Sequence, residues 1–336
     1  MATMIDVARL AGVSTSTVSH VLNGTRKVES ATRRRVEAAI EQTGYRQDTL
    51  ARAMRRSRSD SIGLIVSDAG EPAFADMAHG VEHAAAERGL TLLLANSSED
   101  AEREGLAIHA LMNRRVDGLI LATAATSLVD VLRSLRDERA PVVLLDRLYH
   151  DLPFDQVGAD NRDSMRSLVK HIVGQGHRQM TILAGDTRVP TLEERLEGFL
   201  DGLRDAGLAP SAQHILTGQD EAEIAAEALP AVADRATTAV ICCSTPLAAV
   251  GLGALEQVGR AVPGDVAFAT FDGFRYPELF RPRLTTVRQP AFEMGVSAVQ
   301  LLVSRLADPD SSPRTVRLHQ TLELRESTEG FAPRTA

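Results

Sequence analysis

The chain has 336 residues, 44% of them hydrophobic, and a formal net charge of -8. The length leaves room for a small head and a two-lobed body, while the acidic balance argues against the whole chain wrapping DNA. No apolar run approaches the roughly 20 residues that span a bilayer. The amino terminus has no charged-then-apolar signal pattern, and the two cysteines, Cys242 and Cys243, are adjacent. Neither a membrane span nor export, a disulfide framework nor a metal site is expected, and the expected location is cytoplasmic.

The charge is segregated. Residues 1–60 hold 11 Lys+Arg against 6 Asp+Glu, which leaves 26 against 39 for residues 61–336. A small basic head on a large acidic body predicts a DNA module joined to a part that does not bind DNA.

In chain order, the first 46 residues read as a helix–turn–helix unit. Thr3 and Asp6 form a capping-box pattern for a first helix, and Gly12-Val13-Ser14 makes the turn. Ser14 is an N-cap for a second helix that stops at Asn23-Gly24, and a third helix capped by Ser30 runs to about Thr43 before Gly44. At 100° per residue, Val18, Val21 and Leu22 share one flank of the second helix, facing Val7, Ala8 and Ala11. Thr15, Ser16, Ser19 and His20 lie on the opposite arc. Short hydrogen-bonding groups there suit a helix set in the major groove, although an ordinary solvated face has the same pattern.

Residues 47–60 form a basic stretch with an Ala-rich centre. From residue 62, apolar runs alternate with amphipathic ones. Strands are predicted over 62–66, 91–95, 118–122, 141–146, 180–184, 215–217, 239–242 and 266–271, with helices between them, including 74–88, 99–114 and 127–138. Such βαβ repetition predicts an α/β body of two doubly wound, parallel-sheet lobes. Ligands of such sheets sit beyond the carboxyl ends of the strands, which here carry Asp68, Asp146, Asp160 and Asp272.

The head contains Ile5-Asp-Val-Ala8, Gly12-Val-Ser14, Thr17-Val-Ser19, Val21-Leu-Asn23 and Gly44-Tyr45. The body contains Ser61-Ile-Gly63, Arg115-Val-Asp-Gly118, Gly176-His177, Gly198-Phe199, Phe271-Asp272, Leu284-Thr-Thr-Val287, Gln289-Pro290 and Arg325-Glu-Ser327. In that order these motifs resemble the LacI/GalR family of bacterial transcription regulators over almost the whole chain. The resemblance implies a helix–turn–helix head (1–46), a hinge helix and linker (47–60), and a periplasmic-binding-protein-like body (61–336). Lobe one would comprise about 61–160 plus 290–320, and lobe two about 161–289 plus 321–336.

The resemblance also implies roles. Thr15, Ser16 and His20, most similar to the reading helix of purine-repressor-like members, would touch base edges. Thr17, Asn23, Arg26 and Tyr45 would reach phosphates. Leu50, Ala51, Met54 and Arg55 would belong to a hinge helix in the minor groove. Met54 stands where the family has its wedging leucine, and its flexible apolar side chain can serve as the wedge. A sugar-like or purine-like effector would lie between the lobes, against Phe74, Arg147, Asp160, Arg195 and Asp272. Arg195 and Asp272 could instead form a structural ion pair, and Phe74 could be core. Ser244-Thr245 replaces the Asn-Asp pair common in the family, which leaves the ligand class open.

The expected partners are a pseudo-palindromic double-stranded operator, a small-molecule effector and a second copy of the chain. No cofactor and no enzymatic activity are expected. A competing reading takes His79-Gly-Val-Glu82-His83 as the H-x-x-E-H pattern of inverted zinc peptidases. It lacks a third ligand downstream. No G-x-S-x-G elbow, phosphate loop or dinucleotide fingerprint is present either.

Overall fold

The computed structural model describes residues 2–23, 26–45, 59–124, 132, 133, 135 and 140–330. The expected hinge helix, with Leu50, Ala51, Met54 and Arg55, lies outside them, as does most of the helix expected over 127–138. The chain divides into two compact units, 1–59 and 60–336.

The first unit has three helices: α1 (Met4–Ala11), α2 (Thr15–Asn23) and α3 (Ser30–Thr43). The capping box at Thr3 and Asp6 is formed in both directions. Gly12 closes α1 in the left-handed region at φ 65°, which glycine adopts without a Cβ clash. Ser14 Oγ then caps α2 by accepting the Thr17 N–H at 3.2 Å. The cap of α3 falls one residue earlier than expected. Glu29 is extended and its carbonyl accepts the Arg33 N–H, so Ser30 is already the first helical residue. Val7, Ala8, Ala11, Val18, Val21, Val36 and Ala39 form the core, with Leu22 and Tyr45 packed against it.

The second unit contains two six-stranded sheets. The first comprises β1 (Ser61–Val66), β2 (Thr91–Asn96), β3 (Gly118–Leu121), β4 (Val142–Asp146), β5 (Asp155–Ala159) and β11 (Thr315–Leu318). Its order is β11-β5-β4-β3-β1-β2 and every pairing is parallel. The second comprises β6 (Met180–Gly185), β7 (His214–Thr217), β8 (Ala239–Cys242), β9 (Ala267–Phe271), β10 (Thr285–Arg288) and β12 (Thr321–Glu323). It repeats the order as β12-β10-β9-β8-β6-β7, with only the β10–β12 pair antiparallel. In each sheet the direction of winding reverses beside the first strand, which opens a crevice at the carboxyl ends.

The helices α4 (Pro72–Ala86), α5 (Ala101–Asn113) and α10 (Ala291–Ala307) pack on the first sheet. The second is flanked by α6 (Asn161–Gly174), α7 (Pro190–Asp205), α8 (Glu221–Ala233) and α9 (Thr245–Gln257). Close helix pairs recur in both lobes. A Cβ on Gly80 would sit 2.0 Å from the Phe292 carbonyl oxygen, and one on Gly295 would sit 2.2 Å from that of Met77. In the second lobe a Cβ on Gly198 would lie 2.2 Å from the Arg162 oxygen.

The eight expected strands are present, and β5, β10, β11 and β12 join them. These four lack the apolar runs that mark the others. In β5, the buried Asp155 is paired with Arg305 at 2.9 Å, and the buried Gln156 exchanges hydrogen bonds with the Tyr149 backbone. Strand periodicity is blind to polar residues that are neutralised in the core. Cys242 and Cys243 are buried at the end of β8 and form no disulfide.

Candidate functional site

On the first unit, Thr15 and Ser16 are exposed at the start of α2, while Ser19 and His20 are partly exposed farther along. Ser14 Oγ lies 2.7 Å from Ser16 Oγ and 2.9 Å from Thr17 Oγ1, so the cap hydroxyl also orients its neighbours. Arg26 is exposed beyond the helix, and Tyr45 is half-buried just after α3. Asn23 ends α2.

On the second unit, a cavity of about 580 Å³ opens between the two lobes at the carboxyl ends of the strands. That volume fits a small metabolite. Phe74, Arg147, Arg195 and Asp272 line it. Phe74, in the first turn of α4, is also part of the lobe-one core, so its two sequence readings coexist.

Arg195 projects from α7 and is 3% exposed. Its Nε donates to Asn161 Oδ1 at 2.9 Å, and its Nη1 donates to the Cys243 carbonyl at 2.6 Å and to Asp272 Oδ2 at 3.1 Å. The guanidinium also lies over the Phe271 ring at 4.4 Å, a favourable cation–π placement. Asp272 follows β9 in the left-handed region at φ 61°, and its Oδ1 accepts from Gln289 Nε2 at 2.6 Å. The ion pair expected as an alternative is therefore formed, and it faces the cavity. Arg147 directs both Nη atoms at Glu99, at 2.7 and 3.0 Å, and Nη1 also meets the Thr123 carbonyl.

Asp160 is a correction to the sequence reading, because it does not line the cavity. It sits where the chain first crosses between lobes. Its Oδ1 accepts from Ser164 Oγ at 2.9 Å and from the Gln320 backbone N–H at 2.9 Å, and its Oδ2 lies 2.6 Å from His319 Nδ1. It ties the crossing at 160 to the crossing at 319–320. A strand-end aspartate can serve the ligand or the connection, and strand position alone does not separate them.

Sequence reasoning missed Glu71, Glu99 and Gln289, and left Asp146 out of the ligand set although it ends a strand. All four line the cavity. Burial pushes the Asp146 carboxyl up to about 6, against the pull of Arg147 and Arg195. Desolvation, with repulsion from Asp272, Asp68 and Glu221, pushes Glu71 up to about 7. Ser244 lines the cavity as the N-cap of α9, with Oγ accepting the Leu247 N–H at 3.4 Å, and Thr245 Oγ1 donates to the Gly273 carbonyl at 3.1 Å.

His79 and His83 share a face of α4, but both abut the Phe292 ring, at 5.3 and 5.6 Å. Among the described residues no three His, Cys, Asp or Glu side chains gather as a metal site. No helix among them is long and apolar enough to cross a membrane.

A helix–turn–helix unit preceding a two-lobed α/β body with a metabolite-sized cleft defines a ligand-responsive regulator of transcription. Comparison with known proteins specifies the class. The family of bacterial regulatory proteins of the lacI type matches residues 3–48, and the family of periplasmic binding proteins and the sugar binding domain of the LacI family matches residues 59–324. The chain belongs to the LacI family of bacterial transcription regulators. It is 33% identical to the HTH-type transcriptional repressor PurR of Photobacterium profundum, over 98% of this chain and 99% of that protein. It is 31% identical to the ribose operon repressor of Haemophilus influenzae, over 97% and 98%. The crystal structure of the lac repressor dimer bound to operator and the anti-inducer ONPF superposes with a TM-score of 0.83 at 25% identity, covering 97% of this chain and 99% of that one.

Proposed function

We propose that the chain is a cytoplasmic repressor, without enzymatic activity, that binds a pseudo-palindromic operator as a homodimer and changes its operator affinity when a small molecule enters the cleft. Thr15, Ser16 and His20 read base edges, while Thr17, Asn23, Arg26 and Tyr45 hold phosphates. Leu50, Ala51, Met54 and Arg55 occupy the minor groove, with Met54 as the wedge. The lobes close on the effector through the crossings at 160, 289–290 and 319–320, and closure alters the spacing of the paired heads. The effector acts only through unequal affinity for the two states, so either sign of response is compatible with this geometry.

The observation that carries this reading is the cavity between two lobes that repeat one strand order, joined to a separate helix–turn–helix unit. The relatives support it by name, since they are called repressors and one is called a dimer bound to operator. Selection from a random double-stranded library at about physiological salt tests it, because phosphate attraction alone is weak there. A two-fold symmetric site with a central pyrimidine–purine step is expected. Failure to enrich any sequence, both without ligand and with sugars and purines added, would overturn the reading.

A further inference from the structure

The cleft has spent its cations. Arg147 is committed to Glu99 and Arg195 to Asp272, and Arg188 grips Asp186 with contacts of 2.6 to 3.0 Å. Eight carboxylate side chains line the cavity against three guanidiniums. Once those pairs are formed, Asp68, Glu71, Asp146, Asp220 and Glu221 have no ion pair among the described residues, and of these burial raises Asp146 and Glu71.

The two differ from a solvated acidic face. Asp146 is 7% exposed, lines the cavity, and its carboxylate accepts no hydrogen bond among the described residues. A buried carboxylate in that condition is costly unless a donor arrives. Gln289 adds to the surplus of acceptors. Its amide nitrogen is used by Asp272, which leaves Oε1 buried without a donor. On the opposite side of the balance, Arg147 Nε is the buried donor at this cavity without an acceptor. The vacant hydrogen-bonding capacity of the cavity is thus weighted toward acceptors and toward negative charge.

We propose that the effector of this cleft is a cation, a donor-rich small molecule whose ammonium or amidinium group is held by the carboxylates of Asp146 and Glu71. This rests on the reading of the cleft as the effector site and names the ligand class that the reading leaves open. An anionic ligand would meet guanidiniums that are already paired, together with two carboxylates that have no ion pair. A neutral ligand would satisfy acceptors but leave the charge buried. A cation does both, because each charge-assisted hydrogen bond is roughly twice as strong as a neutral one. It also offsets the repulsion across the cleft between Glu71 on the first lobe and Asp272 on the second. Burial raises Asp146 to about 6 and Glu71 to about 7, so binding of a cation between them releases protons.

The test is thermal unfolding of the full chain at pH 7.5 and matched ionic strength, with paired probes: D-glucosamine against D-glucose, and putrescine against butane-1,4-diol. Each amine is expected to raise the unfolding midpoint by roughly 3 °C more than its neutral partner at near-saturating concentration. Glu71→Gln and Asp146→Asn, both close in shape to the originals, should each cut that excess by more than half. Calorimetry of the unmodified protein at pH 6.5, in two buffers of different ionisation enthalpy, should show proton release on amine binding, a readout that needs no variant. Equal shifts from amine and neutral partner, no shift from either amine, or binding without proton release would each overturn the proposal. A protein that enriches an operator yet prefers glucose keeps its assigned function and loses this ligand class.

Discussion

Asp146 and Asp272 are counterparts across the cleft, yet only one of them is paired. Each lies at the end of the fourth strand, in chain order, of its sheet, and each is in the left-handed region, at φ 73° and 61°. Such a conformation is uncommon for a residue with a Cβ and is best tolerated by Asn and Asp. Asp272 has Arg195 at 3.1 Å and Gln289 at 2.6 Å. Asp146 has no hydrogen-bonding partner among the described residues. The two lobes have the same frame but opposite states of charge compensation.

Removing the compensated partner exposes the difference. Asp272→Ala leaves the nearly buried Arg195 guanidinium without its carboxylate, which should destabilise the body by roughly 3 kcal/mol. Urea denaturation followed by circular dichroism measures this. In the same variant, operator affinity should no longer change when the effector is added. A normal ligand response would remove Asp272 from the site.

The uncompensated carboxyls make stability depend on pH in a definite direction. Asp146 is raised from 3.8 to about 6 and Glu71 from 4.5 to about 7. Folded-state values above the unfolded ones mean that the folded chain holds these protons more tightly. Their contribution is complete below about pH 4 and is lost as the pH rises through 6 and 7. Above pH 7, Glu71→Gln and Asp146→Asn should therefore raise the unfolding midpoint, each by about 2–4 °C, and should flatten its fall between pH 5 and 7.5. A midpoint–pH curve parallel to that of the unmodified protein would contradict the assignment.

The helix pair α4–α10 has no room for a methyl group. Gly295→Ala places a Cβ against the Met77 carbonyl oxygen and the Val81 backbone nitrogen, which side-chain rotation cannot relieve. A loss of about 1–3 kcal/mol is expected, read from the denaturant midpoint. Gly105→Ala is the control, since nothing lies within 4 Å of its added Cβ, and it should be neutral or mildly stabilising.

For the head, His20→Ala should lower operator affinity by about 1–3 kcal/mol and relax preference at one base position. Affinity measurements on the enriched site and on its single-base variants check this. A uniform loss over all sequences would move His20 from the bases to the backbone.

Where side-chain chemistry acts within a few residues, the amino-acid sequence was sufficient. The Thr3–Asp6 box, the Gly12 turn, the Ser14 cap and the packing of Val18 and Val21 on Val7 follow from local hydrogen bonding and helical periodicity, and all are formed. So are the eight apolar strands, six of them because a strand buried on both faces must be apolar along its length, while β2 and β7 are partly exposed sheet edges. β5 escaped notice because Asp155 and Gln156 are satisfied by Arg305 and Tyr149, partners 150 and 7 residues away. Asp160 and Asp146 show the same limit at the cleft. Both stand at strand ends, but one is turned to the crossing segment at 319–320 and the other to the cavity. That choice belongs to the tertiary structure, because charge compensation depends on which distant groups the fold brings within hydrogen-bond reach.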